Sequence, residues 1–83
     1  LNISIFPNPF KTHTNLSLYS ASSEKMDIEI FSNLGKVIYT HQEYLKIGFN
    51  TVRIESPGLS PGLYYMNVII NGENNLKPFT IVK

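Results

Sequence analysis

The sequence predicts an all-β fold, and three observations carry this prediction. Apolar and polar residues alternate with a period of two along most of the chain. Turn residues interrupt the alternation about every ten residues, which divides the chain into about six or seven short strands. No segment has the 3.6-residue period of an amphipathic helix. This pattern is typical of a small antiparallel β-sandwich of about seven strands, immunoglobulin-like in kind, and a small barrel is the competing architecture.

The first third of the chain contains two predicted strands and a turn. Asn15–Ser20 alternates, with its two leucines on one face. Met26–Ile30 alternates more regularly, with apolar side chains at every second position and acidic side chains between them. The turn cluster Ser32–Gly35 follows, and its glycine can adopt the positive φ that closes a hairpin.

The middle of the chain contains two further predicted strands. Lys36–Thr40 is β-branched and aromatic, which favours a strand. Phe49–Ile54 alternates again, with a valine and an isoleucine on one face. Two Ser-Pro-Gly turn signals come next, at Ser56–Gly58 and Ser60–Gly62.

The last third contains the strongest predicted strand, Leu63–Ile70. Asn71-Gly72 follows it and is the preferred pair for a type I′ hairpin turn. Leu76–Val82 is the final predicted strand, and Pro78 should place it at a sheet edge or restrict its pairing.

The alternation assigns a face to each side chain, and a register error of one residue would invert every assignment. The predicted core consists of Met26, Ile28, Ile30, Val52, Ile54, Tyr64, Met66 and Val68. The predicted exposed positions are Asp27, Glu29, Thr51 and Arg53.

The composition argues against several classes of protein. Seven Lys plus Arg residues against six Asp plus Glu leave a net charge of +1, so the basic footprint of a nucleic-acid binder is missing. The absence of cysteine excludes disulfides and thiolate metal sites. The longest apolar run is far shorter than a bilayer requires. We therefore predict no nucleic-acid partner and no direct membrane insertion.

The titratable residues do not form a recognisable catalytic or metal-binding motif. His13 and His41 are the only histidines and lack the close spacing of metal ligands. Asp27 and Glu29 are two residues apart on one strand face, and we interpret them as an exposed polar face. No glycine-rich phosphate loop is present. We predict no catalytic residue, no metal and no cofactor.

Two features leave open whether this domain has a binding surface. The five tyrosines could form a sugar-stacking platform, although packing within the sheets is favoured: Tyr19, Tyr39, Tyr44, Tyr64 and Tyr65. In addition, Leu63–Ile70 and Val37–Tyr39 are apolar on both faces, whereas a sandwich strand needs only one apolar face. Coverage by loops and a docking surface for another protein both account for this surplus.

Three segments together resemble a known family. Phe6–Phe10 resembles its opening Y-P-N-P-F-like box, Ile30–Val37 its central "I-Y-D-x-x-G-K-x-V" hairpin, and Leu59–Tyr65 its "L-x-x-G-x-Y" box. The chain also ends in a short strand with lysines near its end, as the family does. In these features it resembles the type A C-terminal sorting domain of proteins exported by the type IX, or Por, secretion system of Bacteroidetes bacteria. The four features occur in order and cover essentially the whole chain.

The resemblance implies a sorting signal rather than an enzyme. In the family, an upstream cargo crosses the inner membrane, and the folded sorting domain is recognised in the periplasm by the outer-membrane translocon. A sortase-like peptidase usually removes the domain after export, and the cargo reaches the cell surface or the medium. Because the chain begins at Leu1 rather than Met, we expect residues 1–83 to be a single domain excised from a larger secreted precursor.

The resemblance also implies which residues are candidates for the family motifs or for recognition by the secretion machinery. They are Pro7, Asn8, Pro9, Phe10, Gly35, Lys36, Gly62, Tyr64, Lys77 and Lys83. Phe6 and Phe10 should pin a stiff proline-containing arm to the sandwich, and Gly35 and Gly62 should occupy positions that do not tolerate a Cβ atom. This chain departs from the family where Phe6 replaces the usual Tyr, where Phe31-Ser32 replaces Tyr-Asp, and where Pro78 enters the last strand.

A second functional hypothesis is an accessory β-sandwich of a secreted enzyme, carbohydrate-binding or fibronectin-type. The sorting hypothesis requires a signal in the surface of the domain itself. Since Pro78 should interrupt pairing, we expect an exposed, irregular final segment to serve as that signal. On this expectation, deletion of residues 80–83 would abolish export and leave the core intact.

Overall fold

The computed structural model describes residues 2–56 and 58–82, which contain seven strands and no helix. No described segment could therefore cross a membrane as a helix. The predicted all-β fold is confirmed. The strands are β1 (Ile3–Phe6), β2 (His13–Ser20), β3 (Glu24–Ser32), β4 (Val37–Leu45), β5 (Gly48–Glu55), β6 (Gly62–Ile70) and β7 (Glu73–Ile81).

The strands form two antiparallel sheets. The three-stranded sheet has the order β1-β2-β5, and the four-stranded sheet has the order β4-β3-β6-β7. Strands β3 and β6 are therefore central, and β4 and β7 are the two edges of the larger sheet. A bulge between Ile30 and Phe31 shifts the register of β3 against β4, which increases the local twist at that edge.

The core lies between the sheets and contains all eight residues that the alternation predicted. Each of them is buried. Val52 and Ile54 of β5 belong to the three-stranded sheet, where Leu16 and Leu18 of the neighbouring strand β2 are also buried. Alternation along each strand thus gave the correct register and the correct inner face.

The predicted exposure of the polar positions is only partly correct. Thr51 and Arg53 are exposed on the edge strand β5, but Asp27 and Glu29 are half-buried. Strand β3 has a neighbour on each side, and these neighbours shield the two acidic side chains. The Gln42 amide of β4, for example, donates a hydrogen bond of 2.9 Å to Asp27 Oδ1.

Strand β1 was missed by the sequence analysis, and β4 is longer than predicted. The turn at Asn71-Gly72 was predicted correctly, because both residues have positive φ values of 54° and 76°, as a type I′ turn requires. The expectation for Pro78 was half correct. Strand β7 is an edge strand, but its pairing with β6 continues through Pro78, which lies opposite Tyr65.

Candidate functional site at one end of the four-stranded sheet

Four separate parts of the chain meet at one end of the four-stranded sheet. Because its strands are antiparallel, the end of β3, the start of β4, the start of β6 and the end of β7 lie side by side. Ser32 pairs with Tyr64, and Gly62 pairs with Ile81. We call this end of the sheet, where the pairs Ser32–Tyr64 and Gly62–Ile81 lie, the motif end. Three of the four family-like segments contribute to it.

The fourth segment reaches the motif end from the other sheet. Residues 7–12, the connecting segment between β1 and β2, run alongside the free edge of β7. The Thr80 N–H donates to Asn8 Oδ1 at 3.0 Å. The Phe10 N–H donates to the Thr80 carbonyl at 3.1 Å, and the Val82 N–H donates to the Phe10 carbonyl at 2.9 Å. Part of the edge of β7 is therefore paired within the domain, in a short parallel bridge of Phe10 with Ile81.

Two buried hydroxyl groups hold the connecting segment in place. The Thr14 side chain of β2 is fully buried and donates to the Pro7 carbonyl at 2.7 Å. Ser56 is also buried, and its hydroxyl donates to the Lys11 carbonyl at 3.1 Å. The peptide bonds before Pro7 and Pro9 are both cis. A buried hydroxyl that lost its partner would be costly, so these contacts fix the segment to β2 and to the residue that follows β5.

Three aromatic rings stack beneath the motif end. Phe79 of β7 lies between Phe10 and Tyr64, with ring centroids 5.5 Å from Phe10 and 5.7 Å from Tyr64. The Tyr64 hydroxyl donates to the Ser60 carbonyl at 2.6 Å. Phe10 thus anchors the connecting segment, as expected. Phe6 does not, because 74% of its surface is exposed, and that part of the expectation was wrong.

The hairpin between β3 and β4 closes the motif end on its other side. The Ser32 N–H donates to the Lys36 carbonyl, and the Gly35 N–H donates to the Ser32 carbonyl, both at 2.9 Å. Gly35 has a φ of +88°, and an added Cβ would meet no atom within 4 Å. Gly62 likewise has open space around it. Both glycines have a positive φ, a conformation that a residue with a Cβ rarely adopts whatever the space around it, so the constraint at these positions is conformational rather than steric crowding. Lys36 is exposed beside Gly35.

An apolar groove of about 360 Å³ opens on the outer face of the motif end. Phe31, Tyr65 and Leu76 supply its apolar lining, and the 32–35 turn forms its remaining wall. Leu63 and Val37 are exposed on the same four-stranded sheet. The second apolar face of β6 is thus only partly covered by the described residues.

The remaining nominated residues lie elsewhere. Lys77 is in the middle of β7, opposite Met66, and is half-buried. Lys83 lies outside the described residues. Phe79 was missed by the sequence analysis, although its position two residues before Ile81 follows the same alternation. Thr14 and Ser56 were also missed, because nothing in their local sequence indicates a partner in the connecting segment.

The His, Asp and Glu side chains of residues 2–56 and 58–82 are dispersed over both sheets. No three His, Asp or Glu side chains in this part of the chain are grouped as metal ligands would be. His13 is in the three-stranded sheet and His41 in the four-stranded sheet. Asp27 and Glu29 line an open groove with His41, but Asp27 is already hydrogen-bonded to Gln42.

The domain is thus a small β-sandwich whose family-like segments meet at one end of the four-stranded sheet. A comparison with protein families matches residues 4–83 to the secretion system C-terminal sorting domain. The chain belongs to this family, the C-terminal sorting domains of type IX secretion. A comparison with curated proteins finds no match.

Membership of this family establishes the general role of the domain. It is a type IX secretion sorting signal, and its family is not a family of enzymes. A sorting domain implies a cargo on the same precursor, interaction with the secretion machinery, and export to the cell surface or the medium.

Proposed function

We propose that this domain directs an upstream cargo through the type IX translocon by presenting the motif end as its recognition surface. The cargo passes through the periplasm, the translocon binds the folded domain, and a sortase-like peptidase then removes it. The observation that supports this proposal is the convergence of all four family-like segments on one end of one sheet.

The nominated residues divide into two groups by their contacts. Asn8, Phe10 and Tyr64 are engaged in hydrogen bonds or ring stacking inside the domain. Such residues build the surface and have little left to offer a partner. Lys36 and Leu76, by contrast, are exposed beside the apolar groove. We propose that the translocon binds this groove and the adjoining hairpin.

The structure changes the test that the sequence suggested. The final segment is not an exposed handle, because Phe79 and Ile81 are each only 1% exposed. Deleting residues 80–83 would remove a core side chain and the bridge to Phe10. Loss of export would then report unfolding as readily as loss of a signal. Substitutions at exposed positions of the groove avoid this ambiguity.

The experiment uses residues 1–83 fused behind a signal peptide and a fluorescent protein, in a host with this secretion system. Intact fusion should reach the cell surface or the medium. A variant that carries both Leu76→Ser and Lys36→Ser should leave most of the fusion protein in the periplasm. Tyr44→Ser is the matched control, because Tyr44 is also an exposed strand residue of the four-stranded sheet, near its other end.

Two outcomes would contradict the proposal at different levels. Export that survives the combined groove substitutions would place the recognition surface elsewhere on the domain. Periplasmic retention of the intact fusion, in a host that exports its own cargos, would contradict sorting by this domain and favour the accessory-module hypothesis. Thermal unfolding of the purified variants should show that each is folded, because surface substitutions usually change stability by no more than about 0.5 kcal/mol.

A further inference from the structure

The outer face of the three-stranded sheet carries two rows of unlike side chains. In the first row, Tyr19 of β2 lies directly opposite Phe49 of β5. In the next row, Ser4, Ser17 and Thr51 lie opposite one another across β1, β2 and β5. Because side chains two residues apart share a face, the aromatic and hydroxyl rows are neighbours, about 7 Å apart along the strands.

The two rings are in contact and yet remain open to solvent. Their centroids are 5.3 Å apart, and their planes are inclined by 74°. This edge-to-face pair stabilises the sheet to some extent. Even so, Tyr19 is 53% exposed and Phe49 is 87% exposed. Packing within the domain therefore leaves most of Phe49 and about half of Tyr19 open to solvent.

A groove of about 420 Å³ lies beside the pair. Its polar side chains are Asn2, Ser4 and Ser17, and its lining includes both rings. No charged side chain lines this groove among the residues that the structure describes. Phosphate and nucleic acid require cations, so the lining favours a neutral ligand.

Neutral hydroxyl and amide groups beside exposed aromatic rings suit one class of ligand. A hexose ring has apolar C–H faces that pack on an aromatic ring, and its rim carries hydroxyls that both donate and accept hydrogen bonds. Serine hydroxyls and the asparagine amide have the same dual capacity. We propose that the outer face of the three-stranded sheet is a binding site for a neutral polysaccharide, separate from the motif end and additional to the sorting function.

Each group of the site has a distinct part in this binding. Tyr19 and Phe49 supply the aromatic surface against which a sugar ring packs. Ser4, Ser17 and Asn2 bond the ring hydroxyls, and Ser17 Oγ, which lies 3.4 Å from Thr51 Oγ1, exchanges this long hydrogen bond for one to the ligand. The affinity should be weak, because the groove is shallow and the side chains must be ordered on binding.

Affinity electrophoresis of the 83-residue chain tests the site. The probes are dextran, mannan and laminarin, each cast separately into a native gel. At least one should retard the wild-type chain. Phe49→Ser should reduce the apparent affinity at least fivefold, and Tyr19→Ala should do the same. The matched control is Tyr44→Ala, which removes an exposed tyrosine from the other sheet and should leave the mobility shift unchanged.

Ser17→Ala and amide chemical shifts provide a second readout. Ser17→Ala removes a hydroxyl from the groove with little effect on packing, and it should reduce affinity by about two- to fivefold. Titration of the retarding probe should shift the amide signals of Ser4, Ser17 and Thr51 more than those of β4. Three results would overturn the proposal: no retardation by any of the three probes, retardation that Phe49→Ser leaves intact, or shifts confined to the four-stranded sheet.

Discussion

The two ends of the four-stranded sheet are built in different ways. At the motif end, segments from four distant parts of the sequence are joined by backbone hydrogen bonds, an Asn8 side chain and a stack of three rings. At the opposite end, β6 and β7 are joined by the two-residue turn Asn71-Gly72. The difference shows what the family-like segments do. Alternation indicates most of the strands, whereas these segments fix the place where remote strands and the connecting segment meet.

The largest effect should come from the central ring of the motif end. Phe79→Ala leaves a cavity between Phe10 and Tyr64 and should lower the free energy of unfolding by about 3–5 kcal/mol. Urea denaturation measures this loss. Ile28→Ala, which truncates a core residue in mid-sheet, provides the comparison and should cost about 2–4 kcal/mol. A loss well below that of Ile28→Ala would show that the ring stack is not the main anchor of this end.

A matched pair of glycines compares the two ends directly. Gly35 and Gly72 both have positive φ, +88° and +76°, and both have open space where a Cβ would lie. Alanine at either position should therefore cost a similar free energy of unfolding, about 1–2 kcal/mol. Only Gly35→Ala should also reduce export of the fluorescent fusion, because only Gly35 is at the motif end. Equal export of the two variants would show that the translocon does not recognise the hairpin between β3 and β4.

The smallest effect should come from the side chain that bonds the edge of β7. Asn8→Ala removes the hydrogen bond from the Thr80 N–H and should lower the free energy of unfolding by about 1 kcal/mol. Asn8→Asp keeps an oxygen acceptor at the same place and should recover most of the loss. Hydrogen exchange of the Thr80 amide is the direct measurement. Unchanged protection in Asn8→Ala would mean that the bond contributes nothing to this edge.

Much of the fold could be predicted from the sequence, because period-two alternation fixes both the strand and its buried face. Met26, Ile28 and Ile30 were assigned correctly for this reason. The same rule could not show that β3 is a central strand, so the shielding of Asp27 and Glu29 was missed. Lateral order in a sheet depends on contacts between strands that lie far apart in the sequence.

The sequence indicated individual residues of the candidate site, but it did not indicate which of them are in contact. The resemblance nominated Asn8, Phe10 and Tyr64 without indicating that they contact the same strand. Phe6 and Phe10 are equivalent by sequence, and only the path of the connecting segment decides which ring is buried. Asn8 and Thr80 are 72 positions apart, a separation over which local patterns carry no information.

The bridge between the connecting segment and β7 has a consequence for the timing of folding. Synthesis runs from the amino end towards the carboxyl end, so within this domain Phe10 is made before Phe79, the ring against which it stacks. Until residues 79–82 have emerged, the core lacks Phe79 and Ile81, and the connecting segment has no strand to bridge. Contacts between such distant residues are also slow to form, since a long loop must first close. The motif end therefore cannot be completed until the chain is present through β7.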